Sequence, residues 1–312
     1  MSPQPTRRQL LGLSAAIAAG FALAACNRGG SDTAGKKVLL SVSTQTNPFF
    51  VQLVDGAKKK AKELGVTLDV QDASDDAAAQ ANHLQNAITQ NVACVIVNPT
   101  DSDAVSASVE VLNKAKIPVI AVDRNATKGE LASFIASDNV AGGEQAADTL
   151  AEAIGDKGKV LVLQGTPGAS ATRDRGKGFD EAIAKHSGIE VVASQTANFD
   201  RAQGLDVATN LLQANPDVVG IFAHNDEMAL GAIEALGAKA GKEVKVVGFD
   251  GTADGLKAVE SGKMLATIAQ QPAELGSKAV EQAKKILDGG KAEKEIQVPV
   301  VVVTEKNAGE FK

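Results

Sequence analysis

Short runs of aliphatic and β-branched residues alternate with segments of 3.6-residue apolar period along most of this 312-residue chain. The runs at 38–44, 67–71, 93–97, 118–122, 159–163, 189–193, 218–223 and 244–249 are rich in Val and Ile. That near-continuous apolar character is expected of strands covered on both faces. Between them, Phe50, Leu53, Val54, Ala57, Ala61 and Leu64 form one helical stripe, and Ala77, Ala81, Leu84 and Ile88 form another. Asn47 can cap the first of these helices and Pro48 suits its first position. Lys58, Lys59 and Lys60 fall on its polar side. Repeated strand–helix–strand units require parallel sheets with helices on both faces. So many units exceed one ordinary core and predict two α/β domains.

Charge and motif content exclude several classes of function. The net charge of -6 argues against a general nucleic-acid surface. Two cysteines, Cys26 and Cys94, cannot form a disulfide framework, and Cys94 lies in an apolar run as a small hydrophobe would. No Gly-x-Gly-x-x-Gly, phosphate-binding Gly-Lys-Ser/Thr or Gly-x-Ser-x-Gly motif occurs. The three histidines lack metal-ligand spacing; His83 and His186 are expected at the surface, and for His224, adjacent to Asn225, a rim role is the lesser alternative. No catalytic, cofactor or metal site is therefore expected, and an enzyme is disfavoured.

Ligands of open α/β sheets bind beyond the carboxyl ends of the strands. Those ends carry Asn98, Asp123 with Arg124, His224 with Asn225 and Asp226, and Asp250; Gln270 follows the run 265–269. Side chains of this kind suit a neutral polyhydroxy ligand, because a hydroxyl both donates and accepts. Asp accepts from it, Arg donates to it, and Asn or Gln does both. Phenylalanine rings supply flat walls for its C–H faces.

Residues 1–36 have a different composition. Arg7 and Arg8 precede an apolar stretch, Leu10 to Ala25, too short to span a bilayer. This reads as an export signal, and Thr6-Arg7-Arg8-Gln9-Leu10-Leu11 resembles a twin-arginine address; the general secretory route is the alternative. Leu23-Ala24-Ala25-Cys26 resembles a bacterial lipobox, which implies cleavage after residue 25 and lipid on Cys26. Residues 26–36 read as a flexible tether.

Thr46-Asn47-Pro48-Phe49-Phe50, Asn98-Pro99-Thr100-Asp101-Ser102-Asp103-Ala104, Asp123-Arg124 and Arg173-Asp174-Arg175-Gly176 resemble stretches of bacterial ribose-binding proteins. So do Asn225-Asp226-Glu227-Met228-Ala229-Leu230-Gly231, Gly248-Phe249-Asp250-Gly251-Thr252 and Ile268-Ala269-Gln270. The resemblance covers nearly all of residues 37–304, with the motifs in the family's order and spacing. These are monomeric solute receptors of ABC importers, of the periplasmic binding protein type I fold. The resemblance implies two Rossmann-like lobes with parallel sheets joined by a three-strand hinge. Residues 37–137 with 271–299 would form the first lobe, and 138–270 with 300–312 the second.

It further implies a sugar site of Asn47, Phe49, Phe50, Asn98, Asp123, Arg124, Arg175, Phe199, Asn225, Asp250 and Gln270. Phe49, Phe50 and Phe199 would sandwich the ring, and the charged and amide side chains would take its hydroxyls. Read from the residues alone, Asn47 is a cap, or cap and ligand together, and Phe50 heads a core stripe. Arg173 is expected to be structural or solvent-facing. The implied function is D-ribose capture by hinge closure and delivery to a permease with its ATPase. The family also suggests presentation to a chemoreceptor, with membrane attachment through the lipid anchor only. Another monosaccharide, such as allose or a signalling furanose, is the alternative ligand. A sugar-responsive repressor shares the fold, but would need a helix-turn-helix where this chain has a signal and lipobox.

Overall fold

Apolar runs that must be covered on both faces condense here into two six-stranded sheets. The computed structural model describes residues 37–311; the signal, Cys26 and the tether lie outside them. The first five strands are β1 (Lys37–Val42), β2 (Thr67–Asp72), β3 (Cys94–Val97), β4 (Val119–Val122) and β5 (Ser133–Ser137). Next come β6 (Gly158–Gln164), β7 (Ile189–Thr196), β8 (Val218–Ala223), β9 (Lys245–Asp250) and β10 (Ala266–Ala269). Two short strands follow, β11 (Glu295–Val298) and β12 (Val301–Thr304). The sheet orders are β11-β5-β4-β3-β1-β2 and β12-β10-β9-β8-β6-β7, so both sheets are doubly wound in the same way.

The helices are α1 (Pro48–Leu64), α2 (Ala77–Thr89), α3 (Ala104–Lys114), α4 (Asn139–Ala153), α5 (Ser170–Ile183), α6 (Arg201–Ala214), α7 (Asp226–Leu236), α8 (Ala253–Glu260) and α9 (Pro272–Leu287). Strand side chains alternate between two cores. Val38, Leu40 and Val42 of β1 pack with α1 and α9, while Leu39 packs with α2 and α3. In the second sheet, Leu161 and Leu163 of β6 join α6, α7 and α8, whereas Val160 and Val162 join α4 and α5. Cys94 is buried in the first sheet, and burial pushes its thiol up to about 12, so it is inert.

Strands β5, β11 and β12 lie outside the runs that the sequence marks. β5 is Ser-Phe-Ile-Ala-Ser, half small polar residues, and β11 carries Glu and Gln. The edge strands β2 and β7 are only partly buried, where the sequence predicts cover on both faces, and each pairs with one neighbour only. One pair, β10 with β12, is antiparallel. Its cause is local: β11 runs parallel to β5 in the first sheet, and Pro299–Val300 carries the chain directly into the second, so β12 starts where β10 ends. The chain also changes sheet at Asp138, between β5 and α4, and at Gln270–Gln271, between β10 and α9. These three crossovers lie together: Asp138 N–H donates to Val298 O, and Gln271 Nε2 to Pro299 O.

Three helix pairs touch backbone to backbone through reciprocal glycines. α1 and α9 meet at Gly56 and Gly276, α4 and α5 at Gly143 and Gly178, and α6 and α7 at Gly204 and Gly231. A Cβ on Gly178 would fall 2.0 Å from Val140 O, and one on Gly143 2.2 Å from Arg175 O. Neither neighbour is a side chain that can swing aside, so overpacking there costs at least ~1–3 kcal/mol. Gly178→Ala is expected to lower the calorimetric Tm by several degrees, since ~1 kcal/mol corresponds to ~2–4 °C at this size. Gly309→Ala, which meets nothing within 4 Å, should leave the Tm unchanged. Equal melting of the two variants would contradict the interlock.

Candidate functional site

The carboxyl ends of both sheets face one small cavity. Its room for water-sized molecules is only about 20 Å³, and it is lined by Asn47, Phe49, Phe50, Asp123, Arg124, Ala171, Arg175, Phe199, Asn225, Asp250 and Gln270. Ten of the eleven sequence-designated residues are among these; the exception is Asn98. Its Oδ1 accepts from Ser43 N–H and Oγ, and its Nδ2 donates to Val122 O and to Asp123 Oδ2. With every donor and lone pair engaged, Asn98 is no direct ligand and instead positions Asp123. Behind it, Gln80 of α2 bonds Asn98 O and Thr100 N–H, pinning the turn after β3. Nothing in the α2 stripe marks Gln80, since Gln at a helical position is usually solvated.

Asn47 caps α1 through Oδ1, which accepts from Phe49 N–H at 2.9 Å, leaving Nδ2 uncommitted. Asn225 caps α7 in the same way, accepting from Met228 N–H, and its Nδ2 donates to Phe199 O. Phe49 and Phe50 meet edge to face and also belong to the core of the first sheet, so they are wall and core together. The Arg124 guanidinium lies between Phe50 of α1 and Phe199 of the β7–α6 turn, 5.1 and 5.3 Å from the ring centroids. Its Nη1 donates to Pro99 O.

Arg175 is held on three sides. Its Nε donates to Asn139 Oδ1 at 2.8 Å, its Nη1 donates to His224 O, and its plane sits 3.8 Å from the Phe249 centroid. Asp250 accepts from Gln270 Nε2 at 2.7 Å and lies 3.8 Å from Arg175 Nη1. Arg173, by contrast, is exposed and donates to Gly168 O. His83 and His186 are half-buried and hydrogen-bonded to Ser41 and to Asp156.

Asp123, Arg124, Arg175 and Asp250 are each at most 5% exposed. Burial raises both carboxyl pKa values against the pull of the arginines, and burial lowers both guanidinium values against the pull of the carboxylates. Three polar atoms of cavity-lining residues are buried without a hydrogen-bond partner in the protein: Asp123 Oδ1, Arg124 Nε and Gln270 Oε1. Two acceptors and one donor therefore await a ligand that offers both kinds of group. No group of three or more potential metal ligands occurs among the described residues.

The two halves of the cavity meet directly at its rim. Ser102 N–H donates to Gly168 O, Ser170 N–H to Ser102 Oγ, and Asn125 N–H to Ser170 Oγ. Asp226, beneath Asp250, accepts from Thr252 N–H, Thr252 Oγ1 and Thr267 Oγ1, and burial raises its pKa to about 6.

His224 is not at the rim. It is fully buried with both ring nitrogens unpartnered, and it serves Arg175 through its carbonyl. Burial, helped by the Arg175 charge, lowers its pKa to about 3. An unfolded histidine protonates near pH ~6.5. Its neutral burial thus contributes stability in full above that pH, and the contribution is lost as pH falls from ~6.5 towards 3. Asp123, Asp226 and Asp250, with raised values, act with the opposite sign, so a difference between chains isolates the histidine. His224→Gln is expected to lose less unfolding free energy than the parent between pH 7 and 4 in urea titrations; equal losses would contradict the assignment.

Comparison with known proteins places this chain in a family. Residues 38–292 match the periplasmic binding protein domain. The chain is 49% identical over 298 residues to the ribose import binding protein RbsB of Haemophilus influenzae, covering 96% of this chain and 100% of that one. It is 50% identical over 269 residues to RbsB of Escherichia coli, covering 86% and 90%. A solute-binding protein from Actinobacillus succinogenes, solved with bound D-allose, superposes with a TM-score of 0.83 at 35% identity, covering 88% of this chain and 99% of that one. Two α/β lobes, a shared cavity at their strand ends and this similarity along the whole described chain lead to one assignment: the chain belongs to the periplasmic binding protein domain family.

Proposed function

We propose that this protein is the extracytoplasmic receptor of an ABC sugar importer and that it captures D-ribose between its two lobes. The observation that carries the reading is the desolvated, charge-balanced set Asp123, Arg124, Arg175 and Asp250, whose cavity has unpartnered donors and acceptors. A neutral polyol satisfies those atoms without upsetting the balance. The RbsB relatives, at 49 and 50% identity, favour ribose over the D-allose bound by the 35% relative.

Residues 37–137 with 271–299 act as one lobe, and 138–270 with 300–312 as the other. Asn47, Phe49, Phe50, Asp123 and Arg124 present the first lobe's contacts, and Arg175, Phe199, Asn225, Asp250 and Gln270 the second's. Contacts from both sides stabilise the closed form over the open one, so the sugar drives hinge closure by differential affinity. The closed form is what the permease and its ATPase receive; no bond of the sugar breaks. A chemoreceptor can read the same form. The protein works as a monomer, with Cys26 lipid holding it at the outer face of the membrane. No described helix is long and apolar enough to cross a membrane.

Calorimetric titration of the unfolded and refolded chain tests this reading. D-Ribose is expected to bind one to one with a Kd of ~1 µM or tighter, equivalent to about -8 kcal/mol. D-Allose, D-xylose and D-galactose should bind much more weakly, because each leaves a buried partner unpaired or adds a clashing group. Ribose 5-phosphate should not bind. Asp250→Ala and Arg175→Ala, each leaving an opposite charge uncompensated, should each weaken binding by more than ~100-fold while remaining folded. Tighter binding of allose than ribose would reassign the ligand, and parental affinity in either variant would overturn the site.

A further inference from the structure

The carboxamide of Asn139 bonds in two directions across the first crossover. Nδ2 donates to Ser137 O at 3.2 Å, and Oδ1 accepts from Arg175 Nε at 2.8 Å. Ser137 is the last residue of β5, in the first sheet. Asn139 is the first residue of α4, which packs in a core of the second sheet. Only Asp138 separates them, and its N–H is tied to Val298 O at the neighbouring crossover. The Nδ2 bond therefore spans the hinge, while the Oδ1 bond holds a side chain of the site. Asn139 is 5% exposed and Arg175 3%, so neither partner has water as an easy substitute.

A carboxamide has one donating end and one accepting end. Ser137 O can take only the NH₂ end, and Arg175 Nε can take only the oxygen. The hinge bond thus fixes which end meets Arg175. The guanidinium, anchored by Asn139 at Nε and by His224 O at Nη1, does not commit its Nη2 to either. We propose that Asn139 is a positioning residue which couples hinge geometry to Arg175, presenting that guanidinium to the sugar in the closed form. Rotation of the lobes separates Ser137 O from Nδ2, because donor and acceptor belong to different lobes. The carboxamide is then free to turn, and Arg175 loses its oriented acceptor. The inference rests on the sugar-receptor reading above.

A contact made only in the closed form affects release of the sugar more than its capture. Stopped-flow or surface-plasmon kinetics with D-ribose therefore tests the coupling. Asn139→Ala is expected to raise koff by ~10- to 100-fold, the worth of a hydrogen bond to a charged group, with kon changed less than ~3-fold. Asn139→Asp keeps an acceptor for Arg175 but cannot donate to Ser137 O, and should also raise koff. Sugar-free melting should stay within ~2 °C of the parent for both. Parental koff in either variant would overturn the proposal. So would a loss confined to kon, which would mean that Asn139 organises the open lobe instead. The parent is measured in parallel: failure of the parent to bind ribose would overturn the receptor reading itself, whereas parental binding with unaltered variants overturns only the coupling.

Discussion

The interaction on which this architecture rests is the mutual neutralisation of four buried charges. Asp123, Arg124, Arg175 and Asp250 come from two separate sheets and lie almost wholly out of water. An isolated charge so placed would cost several kcal/mol even after relaxation. Here each has an opposite charge within 4 Å: Arg124 Nε with Asp123 Oδ2 at 3.7 Å, and Arg175 Nη1 with Asp250 Oδ1 at 3.8 Å. Each pair lies within one lobe, so the cavity charges that each lobe contributes sum to zero. Closure then brings two neutral dipolar surfaces together and not two opposed charges. On the proposed reading, a sugar placed between them would receive charge-assisted hydrogen bonds from both pairs without any net charge being transferred from water.

Holding those pairs requires strain, and the surrounding contacts show where it is absorbed. Asp123, Phe199 and Asp250 all have positive φ, at 66, 61 and 125°. Such conformations cost ~1–3 kcal/mol each and persist only where neighbours over-determine them. Asp123 is fixed by its N–H to Ile135 O and by Asn98. Phe199 is fixed by Asn225, which donates to its carbonyl. Asp250 is fixed by Gln270 from one side. From the other side, Gly251 N–H donates to Thr267 Oγ1 and Thr252 N–H to Asp226, while Gly248 and Gly255 leave room for the Asp226 carboxylate. A Cβ on Gly255 would come 2.2 Å from Asp226 Oδ2. The motif residue Asp226 thus serves the site without touching the cavity.

Features governed by local rules could be read from the residues. The α1 stripe and its Asn47–Pro48 start are local, and the structure has both. Strands with continuous Val and Ile runs were equally plain, as was the collection of polar groups beyond them. What escaped depends on partners distant in the chain. β5 is a strand because it fits between β4 and β11, the latter about 160 residues later, not because Ser-Phe-Ile-Ala-Ser has a strand pattern. Asn98 looks like a ligand in sequence, at a strand end with a suitable side chain. Only the positions of Ser43 and Val122 show that its carboxamide is already satisfied. The burial of His224 is long-range in the same way: its ring lies against Phe222, which stacks on Phe179, and periodicity is silent about the stack.

On the proposed receptor reading, the rim contacts bear on how tightly the sugar would be held. Ser102, Gly168, Ser170 and Asn125 join the two lobes through bonds that involve no sugar. They favour closure whether or not the cavity is filled, and the fraction closed without sugar multiplies the intrinsic affinity of the closed site. Against them stands the desolvation of four charges, which disfavours closure until hydroxyls replace lost water. Strengthening the rim would raise apparent affinity, but it would also populate an empty closed form that a transporter could not distinguish by shape from a filled one. Three backbone donors, meeting two hydroxyls and one carbonyl, give a modest bias, each bond worth about 0.5–1.5 kcal/mol net. The deciding contribution is left to the cavity, where Asp123 Oδ1, Arg124 Nε and Gln270 Oε1 lack protein partners. Closure is thus made conditional on the ligand by the same buried groups that recognise it.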